Sequence, residues 1–255
     1  MYIDSHAHLS APPILPLMEG IIQRARQVNI IKIVNICTHP EALREGIALA
    51  SLYPEIVNAG STTPHDVERE GESAFSIFAE AARLGHLVAV GETGLDYHYE
   101  HSPKELQKIF LIRYLELALE CHLPVIFHCR DAFSDLFSVT DAHYKGGSAV
   151  LHCFTGTIEE AEQVIERGWY LSLSGILTFK KSQMLREVAK KIPLSQILIE
   201  TDAPYLAPQS HRGQMNEPSY LPATAACLAE AKGLSLDEVA RATSENAKRF
   251  FRFCI

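Results

Sequence analysis

Two histidines stand two residues apart at the start of the chain, in Asp4-Ser5-His6-Ala7-His8. Glu92, His128, His152 and Asp202 follow at wide intervals, each after an apolar run. Imidazole and carboxylate together suit zinc, manganese or iron(II), and imidazole suits these better than magnesium. A divalent cation so held lowers the pKa of water toward neutrality, so the chemistry within reach is hydrolysis. On a strand, residues i and i+2 share a face, so His6 and His8 can grip one ion together. The two oxygens of Glu92 could bridge two ions about 3.5–4 Å apart. Asp202 ends Ile197-Leu198-Ile199-Glu200-Thr201 and can bind a metal or take a proton from the attacking water. Alternation puts Glu200 on the same side, as a further ligand or a group that orients one.

Each signal has a plainer explanation when taken alone. A lone H-x-H arises by chance in a chain with 12 histidines, and a single strand-end histidine or carboxylate is usually structural or solvated. The elements that carry these residues change that balance. Continuous Val- and Ile-rich runs, expected for strands buried on both faces, cover Tyr2–His6, Ile31–Ile36, Ile56–Ala59, Leu87–Gly91, Val125–His128, Ala149–His152, Tyr170–Ser174 and Ile197–Glu200. Helical patterns cover Ile14–Val28, Pro40–Leu52, Glu72–Leu84, Pro103–Cys121, Ala132–His143, Ile158–Glu166 and Ser182–Lys190. Thr38, Ser102 and Thr157 are the expected start signals for three of them. Two more helical stretches, Leu221–Ala231 and Leu236–Phe251, close the chain.

Eight strands alternating with helices predict an α/β fold, a (β/α)8 TIM barrel formed as one domain over residues 1–255. The rival is an open doubly wound sheet, but no G-x-G-x-x-G follows a first strand. In the barrel the six candidate ligands terminate strands 1, 4, 5, 6 and 8 and meet at one mouth.

The composition narrows the classes further. An apolar fraction of 47% supports a large core, and no apolar run reaches the roughly 18 residues of a membrane span. The N-terminus lacks the basic start and apolar stretch of a secretory signal, so a cytoplasmic location is expected. Cys37, Cys121, Cys129, Cys153, Cys227 and Cys254 form no C-x-x-C pair and read as small buried hydrophobes in a reducing compartment. Alternation is expected to point Cys129 and Cys153 away from the neighbouring histidines. A net charge of -8 argues against indiscriminate nucleic-acid binding. Bound cations and a few arginines can still make a local positive cleft.

The same residues carry a family resemblance. Asp4-Ser5-His6-Ala7-His8, Gly91-Glu92-Thr93-Gly94-Leu95-Asp96-Tyr97, Arg130-Asp131-Ala132, His152-Cys153-Phe154-Thr155-Gly156, Glu200-Thr201-Asp202-Ala203-Pro204-Tyr205-Leu206 and Asn216-Glu217-Pro218 resemble the TatD family of metal-dependent deoxyribonucleases, within the amidohydrolase-like metal barrels. The resemblance implies a TIM barrel with divalent metal ions, two being expected, of zinc, manganese or magnesium. It implies that His6, His8 and Asp202 hold one ion, that His128 and His152 hold another, and that Glu92 bridges them. The implied activity is phosphodiester hydrolysis, often 3′→5′ on DNA, with single strands or 3′ ends as substrate. Asp202 and Glu92 are then the catalytic carboxylates. Arg130 is the expected phosphate clamp, with Arg212 and His65 as further phosphate contacts and Tyr97 as a stacking platform. The family pattern G-x-H-P-H is altered to Ser61-Thr62-Thr63-Pro64-His65, and Gln214 and Met215 stand where basic residues are usual.

Two rival functions share these residues. One is a hydrolase of a small-molecule amide, lactone or phosphoester, since one barrel hosts many chemistries. The other is a metal-holding binding protein without catalysis, which the complete ligand set disfavours.

Overall fold

The structure, a computed structural model, describes residues 1–99 and 101–253, so Cys254 lies outside the described residues. Its strands are β1 (Tyr2–Ala7), β2 (Ile30–Cys37), β3 (Ile56–Gly60), β4 (Ala89–Asp96), β5 (Val125–Arg130), β6 (Ala149–Leu151), β7 (Tyr170–Leu173) and β8 (Ile197–Ile199). They pair in parallel and in chain order. A parallel bridge between Ala7 and Ala203 joins the last segment to the first. The amide of Asp202 donates to the His6 carbonyl at 2.9 Å, and the amide of His8 donates to the Ala203 carbonyl at 2.6 Å. The barrel thus closes at the point where His6, His8 and Asp202 stand.

The helices are α1 (Met18–Gln27), α2 (Pro40–Leu52), α3 (Val67–Arg83), α4 (Lys104–Glu120), α5 (Phe133–His143), α6 (Ile158–Glu166), α7 (Gln183–Lys191), α8 (Leu221–Lys232) and α9 (Leu236–Phe251). Alternation splits each strand between two apolar layers. In β2, Val34 and Ile36 join the inner cluster, while Ile33 and Cys37 pack with the outer layer. Both faces are therefore apolar, which is why the strands are continuous hydrophobic runs.

One end of the barrel is sealed. Phe250 and Phe251 of α9 pack with the inner cluster, and Phe250 meets Tyr170, the first residue of β7, at 5.4 Å between ring centres. The Asn246 amide donates to the carbonyls of Leu194 and Ile197, and the Ser244 hydroxyl donates to the Met1 carbonyl. Every one of these contacts lies at strand starts. The open mouth is consequently the one at the strand ends.

Several boundaries differ from expectation for local reasons. The predicted Ile14–Val28 helix begins as α1 only at Met18, after a short 3-10 turn over Leu15–Leu17 that contains Pro16. The predicted Glu72–Leu84 helix reaches back to Val67 across a break at Gly71, whose φ is 46°. His39, not Thr38, caps α2, its Nδ1 accepting the Ala42 amide at 3.2 Å. Ser102 does not cap α4; its hydroxyl accepts the Glu68 amide and donates to the His65 carbonyl at 2.8 Å. Thr157 forms the expected capping box with Glu160.

The largest difference is β4, which runs to Asp96 instead of stopping at Gly91. Thr93 to Asp96 pair with Phe127 to Arg130 of β5. Two glycines obscure this extension in the sequence. Gly94 has a φ of 143°, and a Cβ there would fall on the His128 carbonyl. Glu92 therefore sits inside a strand, next to the stretch from Thr93 that pairs with the neighbour carrying His128.

Candidate metal centre

The open mouth gathers all six ligand-type residues. His6 Nε2 and His8 Nε2 lie 3.3 Å apart. Both face Glu92 Oε2, at 3.5 and 3.8 Å, and Asp202 Oδ1, at 3.6 and 3.3 Å. On the other side, His128 Nδ1 is 3.0 Å and His152 Nε2 is 2.9 Å from Glu92 Oε1. One carboxylate therefore turns each oxygen toward a different pair of imidazoles. The His6 and His152 rings stack at 3.9 Å between the two groups.

A second set of groups orients the first. His128 Nε2 lies 2.8 Å from Asp96 Oδ2, which fixes the proton on that nitrogen and leaves Nδ1 to point inward. His152 Nδ1 lies 3.5 Å from Glu200 Oε1, an ion-pair distance without a hydrogen bond. Glu200 Oε1 accepts the Cys153 amide at 2.7 Å, so Glu200 orients a neighbour instead of joining the cluster. Asp202 has a φ of 59°, so regular alternation does not continue from Glu200 to Asp202, and only the Asp202 carboxylate faces the cluster. Asp4 accepts the Thr201 amide at 2.9 Å and hydroxyl at 2.6 Å, tying β1 to the segment that presents Asp202.

The electrostatics agree with the geometry. Burial alone would raise the Glu92 carboxyl, but His152 together with bonds from His128 and His6 holds it well below the usual range. Burial works against protonation of His152, yet Glu92 and Glu200 raise it well above an ordinary histidine. Burial lowers His6, with His152 adding to the effect. For Asp96 burial is again outweighed, and bonds from His128 and the Tyr99 amide bring it down to about 2. The cluster thus favours positive charge beside its carboxylates.

These residues fit divalent cations. Asp202 Oδ1 is buried with no hydrogen-bond donor, an arrangement that costs free energy unless a cation meets it. Ligand atoms of His6, His8 and Glu92 lie within 4.8 Å of one another, as do those of Glu92, His128 and His152. Two further such groups comprise His6, His152 and Asp202, and His65, Asp96 and His128.

The other site candidates divide. Arg130 and His65 border the cavity above the cluster. Tyr97 does not: its hydroxyl donates to Asp135 at 2.7 Å, and Lys104 covers its ring at 4.5 Å. Tyr99 takes the cavity wall instead, with Arg130 over its ring. Arg212 lies over Phe179 at 4.3 Å, away from that wall. Cys129 and Cys153 both border the cavity, against expectation; Cys153 has a φ of 45° and leaves the strand geometry, whereas Cys129 stays within β5. Thr63 is buried and donates to Asp66 at 3.1 Å.

Sequence reasoning assigned no role to Asp4, Asp96 or Tyr99. Asp96 had a signal, standing four residues after Glu92 and hence on the same face of one strand. Asp4 could be found only once β1 and β8 were known to be neighbours.

A barrel with imidazoles and carboxylates converging at its strand-end mouth defines the metal-dependent hydrolase class. The TatD-related DNase family model matches residues 3–252, and the chain belongs to that family. It is 38% identical to the uncharacterized metal-dependent hydrolase YabD of Bacillus subtilis strain 168, over 99% of each chain. It is 32% identical to the 3′-5′ ssDNA/RNA exonuclease TatD of Citrobacter rodentium strain ICC168, over 97% of each. The crystal structure of YJJV, a TatD homologue from Escherichia coli K12, superposes with a TM-score of 0.93 at 30% identity, covering 99% of this chain and 98% of that one.

Proposed function

We propose that this protein is a divalent-metal-dependent phosphodiesterase that removes nucleotides from single-stranded DNA, in the 3′→5′ sense. The observation that carries this reading is the split orientation of Glu92, one oxygen toward His6 and His8 and the other toward His128 and His152. Such a bridging carboxylate is the mark of a two-ion centre. His6, His8 and Asp202 would hold one ion, His128 and His152 the other, with Glu92 between. When bound, the ions supply charge against the phosphoryl oxygens and lower the pKa of water toward neutrality. Asp202 takes the proton as the water oxygen bonds to phosphorus and the bond to the leaving sugar oxygen breaks. Arg130, on the cavity wall, offers its planar fork to the non-bridging oxygens. The name of the Citrobacter relative supports the choice of nucleic acid.

The test uses metal-stripped protein, end-labelled single-stranded DNA and Mg²⁺, Mn²⁺ or Zn²⁺ added singly. The expected result is a ladder shortening from the 3′ end when metal is restored. Asp202→Asn should lower the rate by about 10²–10⁴ with the fold intact by circular dichroism. Wild-type-like turnover by that variant removes the role of Asp202.

One observation favours a second reading, a small phosphoester. Arg130 is the sole arginine or lysine bordering the cavity among the described residues, which is little cationic surface for a long strand. Turnover of small phosphoesters with none of oligonucleotides would select it.

A further inference from the structure

The cavity over the ligand cluster has a volume of about 570 Å³, in the range that encloses a small ligand. Of the large, strongly exposed apolar and aromatic side chains among the described residues, only Tyr99 and Tyr205 border it, at 49% and 56% exposure. Each ring meets a histidine of the mouth in a T-shaped arrangement. Tyr99 is 5.5 Å from His65 and Tyr205 is 5.7 Å from His8, ring centre to ring centre.

Their places in the barrel are opposed. Tyr99 follows β4 and Tyr205 follows β8, and in a closed sheet of eight sequential strands these lie across the mouth from each other. The ligand cluster lies between them. Both are mounted by backbone bonds. The Tyr99 amide donates to Asp96 Oδ1 at 2.9 Å, while the other oxygen of Asp96 faces His128. The Tyr205 amide donates to the Asp202 carbonyl at 2.9 Å, and Asn216 donates to the Tyr205 carbonyl at 2.6 Å. Arg130 donates to the Tyr99 hydroxyl at 3.1 Å and lies over one face of that ring. Two exposed rings, each tied to a residue of the cluster, flank the cavity over that cluster. Flat π-faces on both sides of a phosphate match the layout of a dinucleotide.

We propose that Tyr99 and Tyr205 determine specificity by each stacking on one of the two nucleobases that flank the scissile phosphate. The proposal rests on the phosphodiesterase reading. It commits the site to unpaired bases, because the faces of a paired base are occupied by its neighbours in the duplex.

The probe is a thymidine dinucleotide with a non-cleavable methylenephosphonate link, bound to the metal-loaded enzyme. Two analogues lack one base each. Removing either base should weaken binding to the wild type about tenfold. Tyr99→Ala should weaken the full ligand about tenfold and become indifferent to one base, and Tyr205→Ala to the other. The Tyr→Phe variants should bind as the wild type does, which separates stacking from the hydroxyl bonds. Base-indifferent binding by the wild type overturns the proposal, as does unchanged binding by the alanine variants. Oligonucleotide hydrolysis is followed in parallel. Cleavage with base-indifferent binding keeps the nuclease and removes the tyrosines. Base-dependent binding without cleavage keeps the tyrosines and removes the nuclease.

Discussion

Asp96 shows how much one side chain organises. Its Oδ2 faces His128 Nε2 at 2.8 Å, and its Oδ1 accepts the amides of His98 and Tyr99, both at 2.9 Å. Gln107 in turn grips the Asp96 amide and carbonyl. Asp96→Asn would disturb the protonation of His128 with little change in volume. It should reduce metal affinity or turnover about 10–100-fold, measured by metal titration of stripped protein. Unchanged affinity and rate would mean that packing alone holds the His128 ring. The ligand-type residues were legible because their chemistry is written in residue type. Asp96 was less so, since an acid at a strand end has many uses.

Strands set the precision of the site. β4 and β5 approach so closely at Gly94 that no side chain fits, and this contact seats Glu92 against His128. Gly94→Ala should cost about 2–4 kcal/mol, lowering Tm by about 5–15 °C, and should weaken metal binding in the same variant. A thermal melt and a metal titration check both; a normal titration beside a lowered Tm would separate fold from site. α4 is anchored by Tyr114, whose buried hydroxyl accepts the Thr62 amide at 3.0 Å and pairs with the Thr62 hydroxyl at 2.9 Å. Tyr114→Phe leaves that amide unpartnered and should cost about 1–3 kcal/mol by urea denaturation at neutral pH. Burial pushes this phenol from 10.0 up to about 12. The unfolded chain ionises first, so the stability this group adds is whole below pH 10 and is lost as pH rises toward 12. In the Phe variant the decline of stability with pH over that window should be shallower by one proton; an unchanged slope would place the effect on other groups. The glycines hid the end of β4 from sequence reasoning, because low strand propensity there reflects close approach and not a loop.

At the scale of the molecule, the sealed end and the open mouth divide stability from chemistry. α9 closes one end with Phe250 and Phe251, whereas the mouth holds buried carboxylates and imidazoles whose desolvation opposes folding. Divalent cations binding the native state should therefore raise Tm by mass action, with about 2.7 kcal/mol gained at a hundredfold excess over Kd. Differential scanning calorimetry with and without a chelator tests this; identical melts would mean that the cluster holds no tight cation. No helix among the described residues is long and apolar enough to cross a membrane.

The order of residues alone settled the eight-fold alternation and the imidazole and carboxylate side chains that gather at the mouth, though not that Glu92 lies inside β4. These follow from side-chain period and donor chemistry, which are local. Tertiary structure decided the rest. It divided Glu92 between two imidazole pairs, turned Glu200 to the Cys153 amide, and set Tyr99 on the cavity wall in place of Tyr97. Each of these depends on ångström-scale distances between strands far apart in the chain. Such distances come from barrel closure at Ala7 and Ala203 and from the contact at Gly94, and a linear pattern does not encode them.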